Sequence, residues 1–113
     1  MKISFETVNN ILICKLDGEI DHHTAKKLKD EVDKTIDTFF IRNLIFDFKK
    51  VTFMDSSGIG AIIGRYNKIK DMGGVLGVIN CNKYVEKIFS VSGLFSIIKK
   101  FNSLDEAVRE FNQ

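Results

Sequence analysis

Short apolar runs alternate with amphipathic helical segments along this 113-residue chain, and that alternation leaves few possible folds. Two runs of strand character, 3–8 and 11–16, meet at Asn9-Asn10, where asparagine tolerates the positive φ of a tight hairpin. The predicted order after the hairpin is helix, strand, helix, strand, helix, strand and helix. We therefore predict an α/β fold whose mixed, mostly parallel sheet has about five strands, with about four helices as crossovers and cover.

Each predicted helix has its own start or stop signal. Asp21 is the expected N-cap of the first helix, whose apolar residues fall on one face: Ala25, Leu28, Val32 and Ile36. The second helix is expected to end at Gly73-Gly74, where glycine can adopt the left-handed conformation. A third helix is expected over 82–91, and Ser103 is the expected N-cap of the last one. The remaining strands are predicted at 43–48, 75–79 and within 97–101.

Composition argues against several classes of partner. The length predicts a single domain, 1–113, and a net charge of only +2 gives no reason to expect a nucleic-acid partner. Cys14 and Cys81 are expected to be buried free thiols, and because no spacing suits zinc we expect no metal and no cofactor. The N-terminus lacks a signal-peptide pattern, and no run approaches the ~18 apolar residues of a membrane span. We therefore expect a cytoplasmic protein with no membrane partner.

The chemistry of the chain is concentrated in Phe53-Met54-Asp55-Ser56-Ser57-Gly58-Ile59-Gly60. A predicted strand ends just before this segment, and helical spacing begins within it, so Ser56 or Ser57 is the expected N-cap. A helix N-terminus presents free N–H groups and the positive end of the helix dipole, which suit a phosphate. The motif therefore favours a serine that becomes phosphorylated over a serine that acts as a catalytic nucleophile.

Three glycines follow the serines at positions 58, 60 and 64, although glycine inside a helix costs ~1 kcal/mol relative to alanine. With Ala61 they leave part of the helix surface nearly bare. Either another element of the protein packs closely there, or the backbone of a partner approaches. For Gly64 both explanations are open; for Gly58 and Gly60 we favour a partner, because they adjoin the exposed helix end.

His22 and His23 raise the alternative of a hydrolase that uses Ser57 as its nucleophile. The segment around Ser57 lacks the G-x-S-x-G pattern of a nucleophile elbow, which argues against an enzyme. Adjacent histidines on a helix point to different faces and make a poor metal site. Glu19 and Asp21 suit the dipole of the helix that follows, and they also suit an acidic patch for a basic partner; the sequence leaves both readings open.

Two segments together resemble the STAS family of anti-sigma factor antagonists. They are Gly18-Glu19-Ile20-Asp21-His22-His23-Thr24-Ala25 and the segment 53–60 with its continuation Gly64-Arg65-Tyr66. The first segment resembles the sporulation members of the family in particular. Val91-Ser92-Gly93-Leu94-Phe95 also resembles the family segment that precedes the last strand. The resemblance covers essentially the whole chain in order and spacing.

The resemblance implies a STAS fold and a switch protein that is not an enzyme. It implies that the unphosphorylated form binds an anti-sigma factor, an ATP- or ADP-bound serine kinase, and so releases the sporulation sigma-F factor. That kinase would phosphorylate Ser57, and a serine phosphatase would reset the protein. The expected partner-binding residues are Glu19, Asp21, His22, Asp55, Ser56, Gly58, Ile59 and Gly60. An antagonist of a general-stress anti-sigma factor is the alternative, and a Ser57 hydrolase is less favoured.

Overall fold

A five-stranded sheet organises residues 1–112, the part of the chain that the computed structural model describes. The elements are β1 (Lys2–Val8), β2 (Ile11–Ile20), α1 (His22–Phe39), β3 (Asn43–Met54), α2 (Ser56–Asp71), β4 (Leu76–Ile79), α3 (Lys83–Ser92), β5 (Lys99–Lys100) and α4 (Leu104–Phe111), with a 3₁₀ turn at Leu94–Ser96. The strands lie in their sequence order, with β1 antiparallel to β2 and the other pairs parallel. The prediction of a mixed, mostly parallel α/β sheet is confirmed.

The two faces of the sheet are covered by different helices. One hydrophobic cluster joins Leu12, Cys14 and Leu16 of β2 to the buried residues of α1, α2 and α3. The alternating residues Ile11 and Ile13 belong to a second cluster with α4. Because successive side chains of a strand point to opposite faces, the uninterrupted apolar run of β2 is explained by burial on both sides.

The ends of β2 and β3 lie beyond the predicted ones. β2 continues to Ile20 because Gly18 adopts a φ of 118°, a conformation open mainly to glycine, at irregularities in its pairing with β3. β3 continues through the exposed Lys49 and Lys50 to Met54, so the prediction that it ends at 48 was too short. The longer strands bring residues 20 and 54 to one edge of the sheet, where α1 and α2 begin.

Several local predictions are confirmed. Asn9 turns the opening hairpin with a φ of 56°, and Ser103 caps α4 by accepting from the backbone of Glu106. Gly73 adopts a left-handed φ of 78° just after α2. The last strand is only Lys99–Lys100, between the buried Ile98 and Phe101. None of the helices within residues 1–112 combines the length and apolar character needed to cross a membrane.

Candidate functional site

The two segments singled out from the sequence meet at one edge of the sheet. Ile20 and Met54 are register partners at the ends of β2 and β3, and the backbone N–H of Asp55 donates to the carbonyl oxygen of Ile20 at 3.2 Å. Each strand then passes directly into a helix, so the starts of α1 and α2 lie side by side. Residues 18–25 and 53–60 therefore form one continuous region, which we call the paired helix starts.

Asp21 caps α1, as predicted. Its Oδ1 accepts hydrogen bonds from the backbone N–H groups of His23 and Thr24, each at 3.0 Å, while Thr24 Oγ1 accepts from the backbone N–H of Asp21 at 2.8 Å. This reciprocal pair is a capping box. The hydrogen bond from the Thr24 backbone is the main cause that lowers the pKa of the Asp21 carboxyl, so this side chain is ionised at neutral pH.

Asp55, and neither serine, caps α2, so the prediction of a serine cap was wrong. Oδ1 of Asp55 accepts from the backbone N–H groups of Ser57 at 2.9 Å and Gly58 at 3.3 Å. Aspartate and serine are about equally favourable N-caps. The backbone of Asp55 is extended, as an N-cap requires, so the helix begins at Ser56 and its cap lies one residue before the first of the two predicted serines. The two helices that begin at this edge thus start in the same way.

Ser57 is the second residue of α2 and is half-buried, while Ser56 before it is exposed. Within residues 1–112 the Ser57 hydroxyl has no hydrogen-bond partner, and no histidine activates it as a general base. A hydroxyl that is reachable and unengaged is available for modification by another protein. The same arrangement gives no support to a hydrolase.

The expectation that Gly58 is open to a partner was wrong, because this residue is buried. A Cβ added there would lie 2.6 Å from Met54 Cγ and 2.9 Å from Ile20 Cγ2. Glycine is therefore required by the close approach of α2 to the ends of β2 and β3. Gly58 allows the paired helix starts to pack closely, and the sequence alone could not distinguish that role from contact with a partner.

Gly60 and Gly64 differ from Gly58, since a Cβ at either one would meet no atom within 4 Å. Neither has a positive φ, so the backbone does not require glycine at these positions. Gly60 is exposed and Gly64 is half-buried, and Ile59 beside Gly60 is half-buried against the core. Internal packing therefore does not explain Gly64, and Gly60 remains consistent with close approach by a partner.

Acidic and aromatic side chains border the serines on the β2 side. Glu19 is exposed at the end of β2, beside its register partner Phe53 of β3, which is 40% exposed. His22 and His23 are both exposed at the start of α1, with ring centroids 5.6 Å apart in an edge-to-face arrangement. Among residues 1–112 no group of three His, Cys, Asp or Glu side chains is placed to hold a metal ion.

A hollow between α2 and α3 was missed from the sequence. Ile59, Tyr84, Ile88 and Val91 line it, with a volume of about 460 Å³, and Val91 is 81% exposed. The hydroxyl of Tyr84 donates to the carbonyl oxygen of Met54 at 3.3 Å and accepts from the N–H of the same residue at 3.2 Å. These two hydrogen bonds connect α3 to the paired helix starts. Positions 84, 88 and 91 form a second apolar stripe on α3 at helical spacing, a signal that indicates an outer apolar face but not the hollow that it forms with α2.

A second cleft, which Ser57 itself lines, lies between α1 and α2. It has a volume of about 380 Å³, with Ala25, Lys26 and Lys29 on the α1 side and Ser57, Gly60, Ala61 and Arg65 on the α2 side. Arg65 is only 6% exposed. Its Nε lies 2.8 Å from Asp33 Oδ1, poorly aligned for a hydrogen bond, so the contact is an ion pair; Nη1 donates to the Ala61 carbonyl oxygen at 3.0 Å.

Both cysteines are free thiols within the described chain, as predicted, but only Cys14 is buried and Cys81 is half-buried. Burial raises the pKa of the Cys14 thiol, and it raises the pKa of Cys81 to about 11. Since the thiolate is the reactive form, neither side chain is a nucleophile at neutral pH. Ser57 and its surroundings are the candidate site.

Comparison with known proteins identifies the family to which the chain belongs. Residues 2–107 match the STAS domain family. An anti-sigma F factor antagonist of Paenibacillus polymyxa is 34% identical over 110 residues, which cover 97% of this chain and 94% of the relative. The anti-sigma-B factor antagonist of Bacillus subtilis strain 168 is 31% identical over 81 residues, 72% of each chain.

Among solved structures, the anti-sigma factor antagonist SpoIIAA in its unphosphorylated form matches with a TM-score of 0.85 and 27% identity, over 98% of this chain and 96% of that one. The Bacillus cell fate determinant SpoIIAA in its phosphorylated form matches with a TM-score of 0.75 and 26% identity, over 96% and 98% of the two chains. The same fold is therefore found in both phosphorylation states of a similar protein.

Proposed function

The chain belongs to the STAS domain family, among its anti-sigma factor antagonists, and we propose that it works by partner switching controlled at Ser57. The unphosphorylated protein binds an anti-sigma factor, a serine kinase with ATP or ADP bound, and the kinase then releases the sporulation sigma-F factor. The kinase phosphorylates Ser57, which ends the complex, and a serine phosphatase restores the free hydroxyl. The protein performs no catalysis, needs no cofactor and acts in the cytoplasm.

The observation that carries this proposal is the position of Ser57 at the paired helix starts. Within residues 1–112 its hydroxyl has no hydrogen-bond partner, and its side chain is half-buried. Ile59 of the apolar hollow follows two residues later in α2, and the acidic end of β2 lies at the same edge of the sheet. A kinase that docks on this surface can reach the hydroxyl without unfolding any element. The residue that is modified is therefore also in the middle of the binding surface.

The surroundings of Ser57 indicate what the partner must offer. Glu19, Asp21 and Asp55 supply negative charge, which favours a partner with basic side chains at the rim of the contact. His22 and Ser56 are exposed and add hydrogen-bonding groups. Ile59 and the bare surface at Gly60 allow the partner's backbone to come close. Gly58 supports this surface from inside and does not contact the partner.

Phosphorylation would break the complex by electrostatics alone. It adds about −1.5 to −2 charge at neutral pH, next to the carboxylate of Asp55 that already caps the helix. A docked partner would have to desolvate that charge, and leaving a buried charge unpaired costs about 3–5 kcal/mol. Because ~1.4 kcal/mol is a tenfold change in affinity, a single phosphate is sufficient without a change of fold.

The choice of sigma factor rests on two observations. The Paenibacillus relative, an anti-sigma F factor antagonist, is similar over nearly the whole chain, and the Asp21-His22-His23 segment resembles the sporulation members. The Bacillus subtilis anti-sigma-B factor antagonist is similar over less of the chain, at nearly the same identity. A general-stress anti-sigma factor is therefore the second candidate partner.

Intact-mass analysis after incubation with ATP tests both assignments. The chain is mixed separately with a sigma-F-type and a general-stress anti-sigma kinase, and any phosphate is mapped by fragmentation. We expect one phosphate on Ser57 with the first kinase, none in Ser57→Ala, and an unchanged reaction in the matched control Ser56→Ala. Phosphate only with the second kinase would move the assignment to the stress pathway. If neither kinase adds a phosphate and neither forms a complex with the chain, the proposal is overturned.

A further inference from the structure

The cleft between α1 and α2 places two lysines opposite the residue proposed to be phosphorylated. Lys26 and Lys29 lie one and two turns into α1, both exposed, and line the same cavity as Ser57. Gly60 lines it too, and its lack of a side chain leaves the space beside Ser57 open. A group added to the Ser57 hydroxyl thus has room to turn toward α1.

The charges around this cleft are not all neutralised. Lys26 Nζ lies 3.2 Å from Asp30 Oδ2, an exposed pair one turn apart on α1. The Arg65 guanidinium at the far end is paired with Asp33. Within residues 1–112 Lys29 has no carboxylate at ion-pair distance. The anions Asp21 and Asp55 lie at the helix starts, with the exposed His22 and His23 beside Asp21.

The start of α2 is a poor receptor for the phosphoryl group, although helix N-termini commonly bind phosphate. The backbone N–H groups of Ser57 and Gly58 already donate to Asp55 Oδ1. Asp55 is also an anion, and it repels a phosphate at this position. A phosphoryl group on Ser57 must therefore find its counter-charges elsewhere.

We propose that Lys26 and Lys29 of α1 receive the phosphoryl group of phosphorylated Ser57 in the cleft between α1 and α2. This inference rests on the proposed function and concerns the modified state of the same residue. The flexible stem of lysine lets the ammonium group follow the phosphate oxygens, and Lys26 exchanges Asp30 for the stronger anion. In the modified state the protein thereby holds its own phosphate against α1.

Titration of the phosphate by ³¹P NMR tests this contact directly. Phosphoserine is placed at position 57 during translation by genetic-code expansion, so the experiment requires no kinase. The titration midpoint is compared between the otherwise unmodified sequence and Lys26→Gln/Lys29→Gln. The control is Lys34→Gln/Lys70→Gln, which removes the same charge; Lys70 is 13 residues from Ser57 on α2, about 20 Å along the helix axis. The ³¹P signal reports the phosphate alone and not neighbouring side chains such as His22 and His23.

Opposite charges favour the dianion, so we expect the midpoint to lie about 0.5 pH unit lower with both lysines present than in Lys26→Gln/Lys29→Gln. The control should keep the low midpoint, and added salt should reduce the difference. One common midpoint in all three proteins would show a freely solvated phosphate and overturn the proposal. The mass experiment above reports separately on the kinase, so a chain that no kinase modifies could still show the low midpoint.

Discussion

Oδ1 of Asp55 accepts a hydrogen bond from the backbone N–H of Ser57 at 2.9 Å, so the proposed phosphorylation site is held by the residue that starts its helix. Asp21 makes the equivalent contact at the start of α1, and the two helix starts are joined through the Asp55–Ile20 hydrogen bond. The position of Ser57 is therefore determined by the cap of its own helix and by the hydrogen bond that joins the ends of β2 and β3, before any partner arrives.

Asp55→Ala should lower the free energy of unfolding by about 1 kcal/mol, because it removes the cap of α2. Asp55→Asn keeps an oxygen that can accept from Ser57 and Gly58, so it should lose much less. Urea denaturation of the two variants measures the difference. If Asp55→Asn is as destabilised as Asp55→Ala, the carboxylate acts through its charge and the capping account is wrong.

Gly58→Ala should destabilise the protein by about 1–3 kcal/mol, since the added methyl would overlap the side chains of Met54 and Ile20. Gly64→Ala is the matched control: its methyl meets nothing within 4 Å, and it should gain about 0.5–1 kcal/mol from helix propensity. Thermal or urea unfolding of the pair separates these opposite effects. A neutral Gly58→Ala would show that the two helix starts are not tightly packed.

Gly60→Ala should separate stability from function. Its methyl projects into open space, so the free energy of unfolding should rise by about 0.5–1 kcal/mol. If the partner's backbone covers this surface, affinity for the anti-sigma kinase should fall at least about tenfold, or ~1.4 kcal/mol. Calorimetry with the kinase measures the loss. Affinity equal to that of the unmodified chain would place Gly60 outside the contact.

Asp21 should give the protein part of its acid sensitivity. The pKa of Asp21 is lowered in the folded state, chiefly by the Thr24 backbone hydrogen bond. The contribution of its carboxylate to the free energy of unfolding is therefore complete at pH values above the ordinary aspartate pKa of about 3.9. That contribution is lost as the pH falls through the lower folded value. Asp21→Asn still accepts the hydrogen bonds but does not titrate. Its urea midpoint should therefore fall less than that of the unmodified chain between about pH 5 and pH 2; equal slopes would contradict the assignment.

The order of elements and the sheet could be predicted because apolar periodicity, Asn9, Asp21 and Ser103 each carry a local signal. The ends of β2 and β3 could not, since Asp17-Gly18 and Lys49-Lys50 resemble turns and are held in strands by pairing with neighbours. The same limit applies to Gly58, whose role depends on Ile20, 38 positions away in the sequence. Local signals predict elements, whereas contacts between distant segments determine the site.

The outer stripe of α3 shows the same limit for the site itself. Val85 and Phe89 are the buried residues of this helix, and the helical spacing of Tyr84, Ile88 and Val91 indicates a second apolar face without indicating what lies beside it. Only the position of α3 beside the start of α2 brings that stripe to the hollow that it shares with Ile59, two residues after Ser57. The motif residues could thus be predicted, but the apolar hollow beside them could not.

The most direct test of the switch is the equilibrium affinity of the chain for its anti-sigma kinase, measured with and without phosphoserine at position 57. We expect the phosphorylated chain and Ser57→Asp to bind at least about 100-fold more weakly than the unmodified chain, or ~2.7 kcal/mol, while Ser57→Ala binds as tightly as the unmodified chain and persistently in the presence of ATP. Circular dichroism should show the same fold in all four proteins. Equal affinities of the phosphorylated and unmodified chains would contradict control of binding at Ser57.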